Sequence, residues 1–211
     1  MPLRSILTLL LSLSLVVLAG AAQAATILVW GDSLSAGYGL KPQEDWPTLL
    51  QTRLTREGFR HRVVNASVSG ETSAGGRSRL PTALAEHKPD ILILELGAND
   101  GLRGLKPALL ADNLGAMIAS AREAGARVLL VGMQMPPNYG PAYTRRFAQT
   151  FSEVAANAGV PLVPFLLDGF AEHPEWFQAD GIHPTAAAQP HIVDTVWQGL
   201  EPLLGQRSAR K

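Results

Sequence analysis

Residues 90–100 read D-I-L-I-L-E-L-G-A-N-D and carry the clearest structural signal in the sequence. The first seven residues are rich in branched apolar side chains, which predicts a strand at the centre of a parallel sheet, buried on both faces. Glycine, asparagine and aspartate follow directly, and these residues commonly form the turn after a strand. In folds with a parallel sheet, functional groups lie at the carboxyl ends of the strands. We therefore expect chemistry in the segment that begins at Gly97.

Apolar runs and helix-length segments alternate along the rest of the chain. Strands are predicted at residues 26–30, 62–66, 127–133 and 160–165, and the prolines in the last of these place it at a sheet edge. Helices are predicted at residues 46–57, 72–86, 107–124, 143–158 and 185–204. Pro184 is predicted to begin the closing helix. This order predicts one doubly wound α/β domain over residues 25–211, with a five-stranded parallel sheet between two layers of helices.

The charge and composition of the chain exclude several classes of function. Lys and Arg together number 18, as do Asp and Glu, so the charge favours neither nucleic acid nor an anionic membrane as partner. The chain has no cysteine, which excludes a cysteine nucleophile, a thiolate metal site and disulfide bonds. His61, His87, His173 and His191 lack partners at metal-ligand spacing, so we predict surface or structural roles for them and no bound metal.

The first 24 residues have the pattern of a cleaved signal peptide. Arg4 precedes an apolar stretch at residues 7–18, and Ala22-Gln23-Ala24 fits the small-x-small rule for signal peptidase. The apolar stretch is short for a membrane span of roughly 20 residues, which argues against an uncleaved anchor helix. We predict cleavage after Ala24 and a monomeric periplasmic or secreted protein with no stable membrane anchor.

Four segments at the predicted strand ends carry polar residues suited to acyl transfer. Ser33 could act as a nucleophile, although a lone Gly-Asp-Ser more often forms a turn or a helix cap. Gly70 offers a backbone N–H and Asn99 a neutral side-chain donor, and both could stabilise an oxyanion. Asp180 lies three residues before His183, so its carboxylate can fix the imidazole tautomer that accepts a serine proton. Each segment alone is also compatible with an ordinary surface turn.

Taken together and in this order, the four segments resemble the SGNH/GDSL hydrolase family. The matching stretches are V-W-G-D-S-L-S-A-G-Y-G from Val29, N-A-S-V-S-G-E-T from Asn65, L-E-L-G-A-N-D-G-L-R-G from Leu94 and D-G-I-H-P from Asp180. They look like those of the small periplasmic arylesterase, acyl-CoA thioesterase and lysophospholipase subgroup. The resemblance runs from the first predicted strand to the closing helix, and no segment is missing.

The resemblance implies a flavodoxin-like fold and a serine esterase or thioesterase that needs no metal or organic cofactor. It implies Ser33 as nucleophile, His183 as general base and then acid, and Asp180 as the residue that orients the imidazole. It also implies an oxyanion hole formed by the backbone amides of Ser33 and Gly70 and the side chain of Asn99. Aryl esters, acyl-CoA and lysophospholipids are the implied small-molecule substrates.

Exposed apolar residues in the loops after the strands could line an acyl-chain groove, although ordinary loop packing explains each of them equally well. These candidates are Leu102, Leu105, Met135, Pro136, Tyr139 and Phe170. A shallow cleft of this kind would accept several substrates. Two alternatives stay open: a carbohydrate acetylesterase that shares all four segments, and a non-catalytic periplasmic binding protein on a hydrolase scaffold. Activity on acetylated sugars alone would favour the first, and failure of a phosphonate to label Ser33 would favour the second.

Overall fold

The computed structural model describes residues 24–205 of the chain. The predicted signal peptide lies outside the described residues except for Ala24, so its cleavage stays a prediction. Across residues 24–205, no helix combines the length and apolar character needed to cross a membrane.

Five parallel strands form one sheet. They are β1 (Thr26–Gly31), β2 (Arg62–Asn65), β3 (Ile91–Glu95), β4 (Arg127–Val131) and β5 (Leu162–Val163). Their spatial order is β2-β1-β3-β4-β5, so β3 is the central strand, as its apolar sequence predicts. The chain passes from β1 to β2 on one side and returns to β3 on the other. The carboxyl ends of β1 and β3 therefore form the switch point at which such sheets bind ligands.

Helices cover both faces of the sheet. The described helices are α1 (Ser33–Ala36), α2 (Trp46–Arg56), α3 (Ser73–His87), α4 (Ala98–Leu102), α5 (Pro107–Glu123), α6 (Pro141–Ala158) and α7 (Gln189–Leu200). On one face α5 packs between α3 and α6, and on the other α2 packs against α7. Every residue of β1 and β3 is buried because both faces of these strands are covered. The predicted three-layer α/β architecture is confirmed.

The prediction for the closing helix is wrong at its start. Residues 185–204 are not one helix that begins at Pro184, because the α-helix starts only at Gln189 and follows a 3₁₀ turn. Pro190 occupies its first turn, where the missing N–H breaks no helical hydrogen bond. Pro184 instead forms a β-bridge with Phe177. The Asp180–His183 segment therefore lies in a loop closed by this bridge rather than at a helix end.

Several other elements differ from prediction by one or two residues at their ends, and proline explains the differences in β5 and α6. The edge strand β5 contains only Leu162–Val163, because the flanking Pro161 and Pro164 have no N–H to donate to the sheet. Helix α6 begins at Pro141, two residues earlier than predicted, since proline is favourable in the first helical turn.

Candidate active site

Three side chains from two ends of the sequence form a continuous hydrogen-bonded series. Oγ of Ser33, the first residue of α1, lies 2.9 Å from Nε2 of His183. Nδ1 of the same imidazole lies 2.7 Å from Oδ2 of Asp180. Because a carboxylate only accepts hydrogen bonds, the imidazole proton lies on Nδ1, and Nε2 is left to accept the serine hydroxyl. The structure thus brings together the three residues predicted to form a triad.

The turn that carries Asp180 also fixes the charge of its carboxylate. Oδ1 accepts the backbone N–H groups of His183 at 3.0 Å and Ile182 at 2.9 Å. The pKa of Asp180 is lowered from 3.8 to about 2. The largest cause is the backbone hydrogen bond from His183, and the side-chain hydrogen bond from the same residue and the Ile182 amide add to it. The carboxylate is therefore ionised throughout the neutral range and can stabilise a charged imidazole.

The three predicted oxyanion donors meet at one cavity of about 180 Å³. Ser33, Gly70 and Asn99 all line it, together with His183. The side-chain Nδ2 of Asn99 donates a 3.1 Å hydrogen bond to Oδ2 of Asp32. An amide carries two N–H groups, so one can hold Asp32 while the other donates to a substrate oxygen.

The predicted acyl-groove residues divide into three groups. Leu102 lines the cavity beside Asn99. The prediction is wrong for Met135 and Phe170, because their side chains are only 7% and 2% exposed and belong to the hydrophobic core. The remaining three do not line this cavity: Leu105, Pro136 and Tyr139.

Two apolar residues that were not predicted line the cavity next to the triad. The ring of Tyr38 lies 4.4 Å from the ring of His183, and Ile182 precedes that histidine. Both side chains are about half exposed, at 53% for Tyr38 and 46% for Ile182. Their signal was present in the sequence, since both lie inside the segments that carry Ser33 and His183.

Gln178 is a further residue that the sequence patterns did not indicate. Its side-chain Nε2 donates to the carbonyl oxygens of Tyr38 at 2.8 Å and Pro184 at 3.1 Å. Its backbone N–H donates to the carbonyl oxygen of His183 at 2.7 Å. Gly39 makes room for it: with φ of +73°, a Cβ there would lie 2.1 Å from Oε1 of Gln178. Gln178 therefore connects the segment after the Ser33 helix to the histidine loop.

A pair of buried carboxyl groups lies beneath the cavity. Asp32 is 0% and Glu95 2% exposed. Burial raises the pKa of Asp32 from 3.8 to about 6, although the hydrogen bonds from Leu34 and Asn99 act to lower it. The pKa of Glu95 is raised well above its ordinary value, mainly by burial and secondly by the charge of Asp32. In the described part of the chain, no three His, Asp or Glu side chains gather as a metal site.

Comparisons with known proteins match most of the chain. Residues 29–189 match the model of the GDSL-like lipase/acylhydrolase family. The chain is 54% identical over 192 residues to Esterase TesA of Pseudomonas aeruginosa, which covers 91% of this chain and 96% of the relative. It is 41% identical over 188 residues to Thioesterase 1/protease 1/lysophospholipase L1 of Escherichia coli K12, with 89% of each covered. The psychrotrophic esterase EstA from Pseudoalteromonas sp., solved with monoethylphosphonate as inhibitor, matches with a TM-score of 0.81 and 38% identity over 86% of this chain and 99% of that one.

Proposed function

The chain belongs to the GDSL-like lipase/acylhydrolase family, and from this premise we propose that Ser33, His183 and Asp180 are the catalytic triad of its esterase activity. The chain is an esterase, since relatives that match it along nearly their whole length are named an esterase and a thioesterase/lysophospholipase. The observation that carries the assignment of residues is the 2.9 Å contact between Nε2 of His183 and Oγ of Ser33.

The proposed reaction proceeds through an acyl-enzyme. Oγ of Ser33 attacks the acyl carbonyl while Nε2 of His183 takes the hydroxyl proton, and the carboxylate of Asp180 stabilises the resulting imidazolium. The backbone amides of Ser33 and Gly70 and the side chain of Asn99 donate to the oxyanion. The imidazolium then protonates the departing alkoxide or thiolate as its bond to the acyl carbon breaks. Water, deprotonated by the same imidazole, attacks the acyl-serine. The carboxylic acid is released as the imidazolium returns its proton to Oγ of Ser33.

We propose that the substrates are carboxylic esters and acyl thioesters, including aryl esters, acyl-CoA and lysophospholipids. A cavity of about 180 Å³ is smaller than the roughly 300–1,000 Å³ of pockets that enclose a ligand, so only part of a substrate fits inside it. The half-exposed side chains of Tyr38 and Ile182 and the partly buried side chain of Leu102 suit an acyl chain that begins in the cavity and continues along the surface. The leaving group then extends into solvent, which permits several chemical types.

The proposal includes the setting in which the enzyme works. We propose a monomer that is exported to the periplasm or the medium after cleavage behind Ala24, with no stable membrane anchor. The N-terminal pattern of Arg4, an apolar stretch and small residues before the cleavage site supports export. Mass spectrometry of the exported protein tests this, and an intact N-terminus would contradict it.

The function is tested by hydrolysis of nitrophenyl esters and acyl thioesters of increasing chain length. We expect turnover by the purified protein and a loss of several orders of magnitude in Ser33→Ala. Ser152→Ala, which removes a hydroxyl on the remote helix α6, is the matched control and should keep full activity. Turnover that survives Ser33→Ala would refute the nucleophile. Activity confined to acetylated sugars would instead favour the acetylesterase, and a folded protein that no phosphonate labels would favour the binding protein.

A further inference from the structure

The buried carboxyl group of Glu95 contacts the turn that carries the nucleophile, although Glu95 has no part in the proposed reaction. Its Oε2 accepts the hydroxyl of Ser35 at 2.6 Å and the backbone N–H of Asp32 at 3.4 Å. These two residues flank Ser33, one directly before it and one two positions after it. A single carboxyl oxygen therefore contacts the backbone of the turn on one side of the nucleophile and a side chain on the other.

The sequence of the turn is adapted to this carboxyl group. Gly31 pairs with Glu95 where β1 and β3 end side by side. A Cβ at position 31 would lie 2.5 Å from Oε2 of Glu95 and 2.7 Å from Oγ of Ser35, which is closer than a methyl group can approach. The carboxyl group thus fills the space that a side chain at position 31 would need. The glycine before the Asp-Ser pair is required by Glu95.

The contacts of Glu95 continue to the proposed oxyanion hole through Asp32. Oδ1 of Asp32 accepts the backbone N–H of Leu34 at 3.0 Å, and Oδ2 accepts the amide of Asn99 at 3.1 Å. Displacement of Asp32 would therefore move both the start of α1 and the direction of the Asn99 amide. Ser33 and Asn99, which both line the cavity, depend on one buried series of hydrogen bonds.

Burial acts on the charge of both carboxyl groups. It raises the pKa of Asp32 to about 6, so Asp32 is largely ionised at pH 7. Burial and the charge of Asp32 raise the pKa of Glu95 well above its ordinary value, which favours its uncharged form. Asp32 faces Glu95 from the turn after β1, and the non-titrating Ser35 faces it from α1. His183 and Asp100 act electrostatically on Asp32 in turn.

We propose that Glu95 is a positioning residue for acyl transfer. It holds Asp32 and Ser35, and thereby fixes Ser33 against His183 and directs the Asn99 amide towards the cavity. The inference rests on the proposed role of Ser33 as nucleophile. The shape and the charge of Glu95 can be tested separately.

Two substitutions separate these features. Glu95→Gln keeps the shape and a neutral polar group, so we expect a kcat close to that of the wild type at pH 7. Glu95→Leu keeps the volume but cannot accept the two hydrogen bonds, and we expect kcat to fall about a hundredfold with KM little changed, because small misplacements of reacting groups have effects of this size. Leu129→Ala, a core variant on β4 remote from the cavity, is the control for a general loss of stability.

The pH profile reports the charge of Glu95 directly. As pH rises through its raised pKa, Glu95 ionises beside the Asp32 carboxylate, and repulsion between the two buried anions should displace the turn. We expect kcat of the wild type to fall at alkaline pH and kcat of Glu95→Gln to persist there. This measurement remains decisive even if Glu95→Leu does not fold.

Three outcomes would overturn the inference: wild-type kcat in folded Glu95→Leu, a Glu95→Gln variant as impaired as Glu95→Leu at pH 7, or identical alkaline profiles for the wild type and Glu95→Gln. A loss in Glu95→Leu no larger than in Leu129→Ala at equal melting temperature would count against it equally. If the wild type hydrolyses none of the esters, the proposed function fails by itself. The rate at which a phosphonate labels Ser33 in the wild type and in both Glu95 variants then still tests the positioning role.

Discussion

Oδ2 of Asp32 accepts a 3.1 Å hydrogen bond from the side-chain amide of Asn99, so a fully buried carboxyl group sets the direction of an amide that faces the cleft. The bond joins the turn after β1 to the helix after β3, across the switch point of the sheet. The nucleophile and the proposed side-chain oxyanion donor are thus held by one interaction, although they are far apart in sequence.

Replacement of Asn99 should affect turnover far more than substrate binding. In Asn99→Ala we expect kcat for a nitrophenyl ester to fall roughly a hundredfold to a thousandfold, because the donor acts mainly on the charge that develops in the transition state. KM should remain near the wild-type value. Asn157→Ala, at an exposed position of α6, should leave both constants unchanged. Full turnover in Asn99→Ala would remove this residue from the mechanism.

The Asp180 carboxylate should be required for its charge rather than for folding. In Asp180→Asn, Oδ1 can still accept the two backbone N–H groups of the turn, but the amide cannot stabilise the imidazolium. We expect kcat to fall by about a thousandfold or more, while the protein remains folded at pH 7 and loses only a little stability, because the charge of this part-exposed carboxylate is screened by solvent. A kcat within tenfold of the wild type would contradict this role.

The pH dependence separates Asp180 from the general base. With a pKa of about 2 against 3.8 when unfolded, Asp180 stabilises the fold above about pH 4, and this contribution is lost as pH falls towards 2. Activity should also be lost in acid, because a protonated imidazole cannot accept the serine proton. A rate that stays flat well into acid would contradict the assignment of the base.

The sequence predicts those features that depend on residues close together in the chain. The apolar run at 90–96 predicts the central strand, and four polar segments at strand ends carry the family resemblance, which the family match confirms. The role of Glu95 could not be predicted because the residue lies inside that apolar run. Only the pairing of β1 with β3 places it beside Gly31.

The errors arise where the fold decides which way a side chain faces. Loops have no periodicity that separates core from cleft, so Met135 and Phe170 read as groove residues although both are buried. Pro184 read as a helix start because proline favours that position, but its bridge to Phe177 depends on a contact that local sequence does not encode.

Gln178 should affect turnover through the histidine loop. Gln178→Leu removes both side-chain hydrogen bonds, to the carbonyl groups of Tyr38 and Pro184. We expect a loss of about 1–3 kcal/mol in stability and, because the Ser33–His183 distance is no longer fixed, a kcat lowered by about tenfold or more. Gln149→Leu, on the exposed face of α6, is the control for the added apolar surface. A wild-type kcat in Gln178→Leu would show that the loop is held by other contacts.

The buried Asp32 should make stability depend on pH. Its pKa is about 6 in the folded protein and 3.8 when unfolded, so the folded state binds more protons in this window and its stability falls as pH rises from about 4 to 6. The difference corresponds to at most about 3 kcal/mol. Asp32→Asn removes this dependence, so its free energy of unfolding should improve relative to the wild type between pH 4 and pH 7. Urea unfolding at the two pH values measures this, and an equal difference at both would refute it.

The apolar lining of the cavity should control the preference for acyl-chain length. Leu102 is partly buried beside Asn99, where the later carbons of a medium-length acyl chain would contact it in the proposed reaction. In Leu102→Ala we expect KM for medium-chain nitrophenyl esters to rise about tenfold, since half of a leucine side chain's burial contributes about 1 kcal/mol or more. The acetyl ester should be hydrolysed as by the wild type, because its single methyl group does not reach this residue. Leu109→Ala, at an exposed position of α5 outside the cavity, should change neither substrate. Equal effects on acetyl and medium-chain esters would place the acyl chain elsewhere, and a single sharp length preference in the wild type would contradict an open, tolerant cleft.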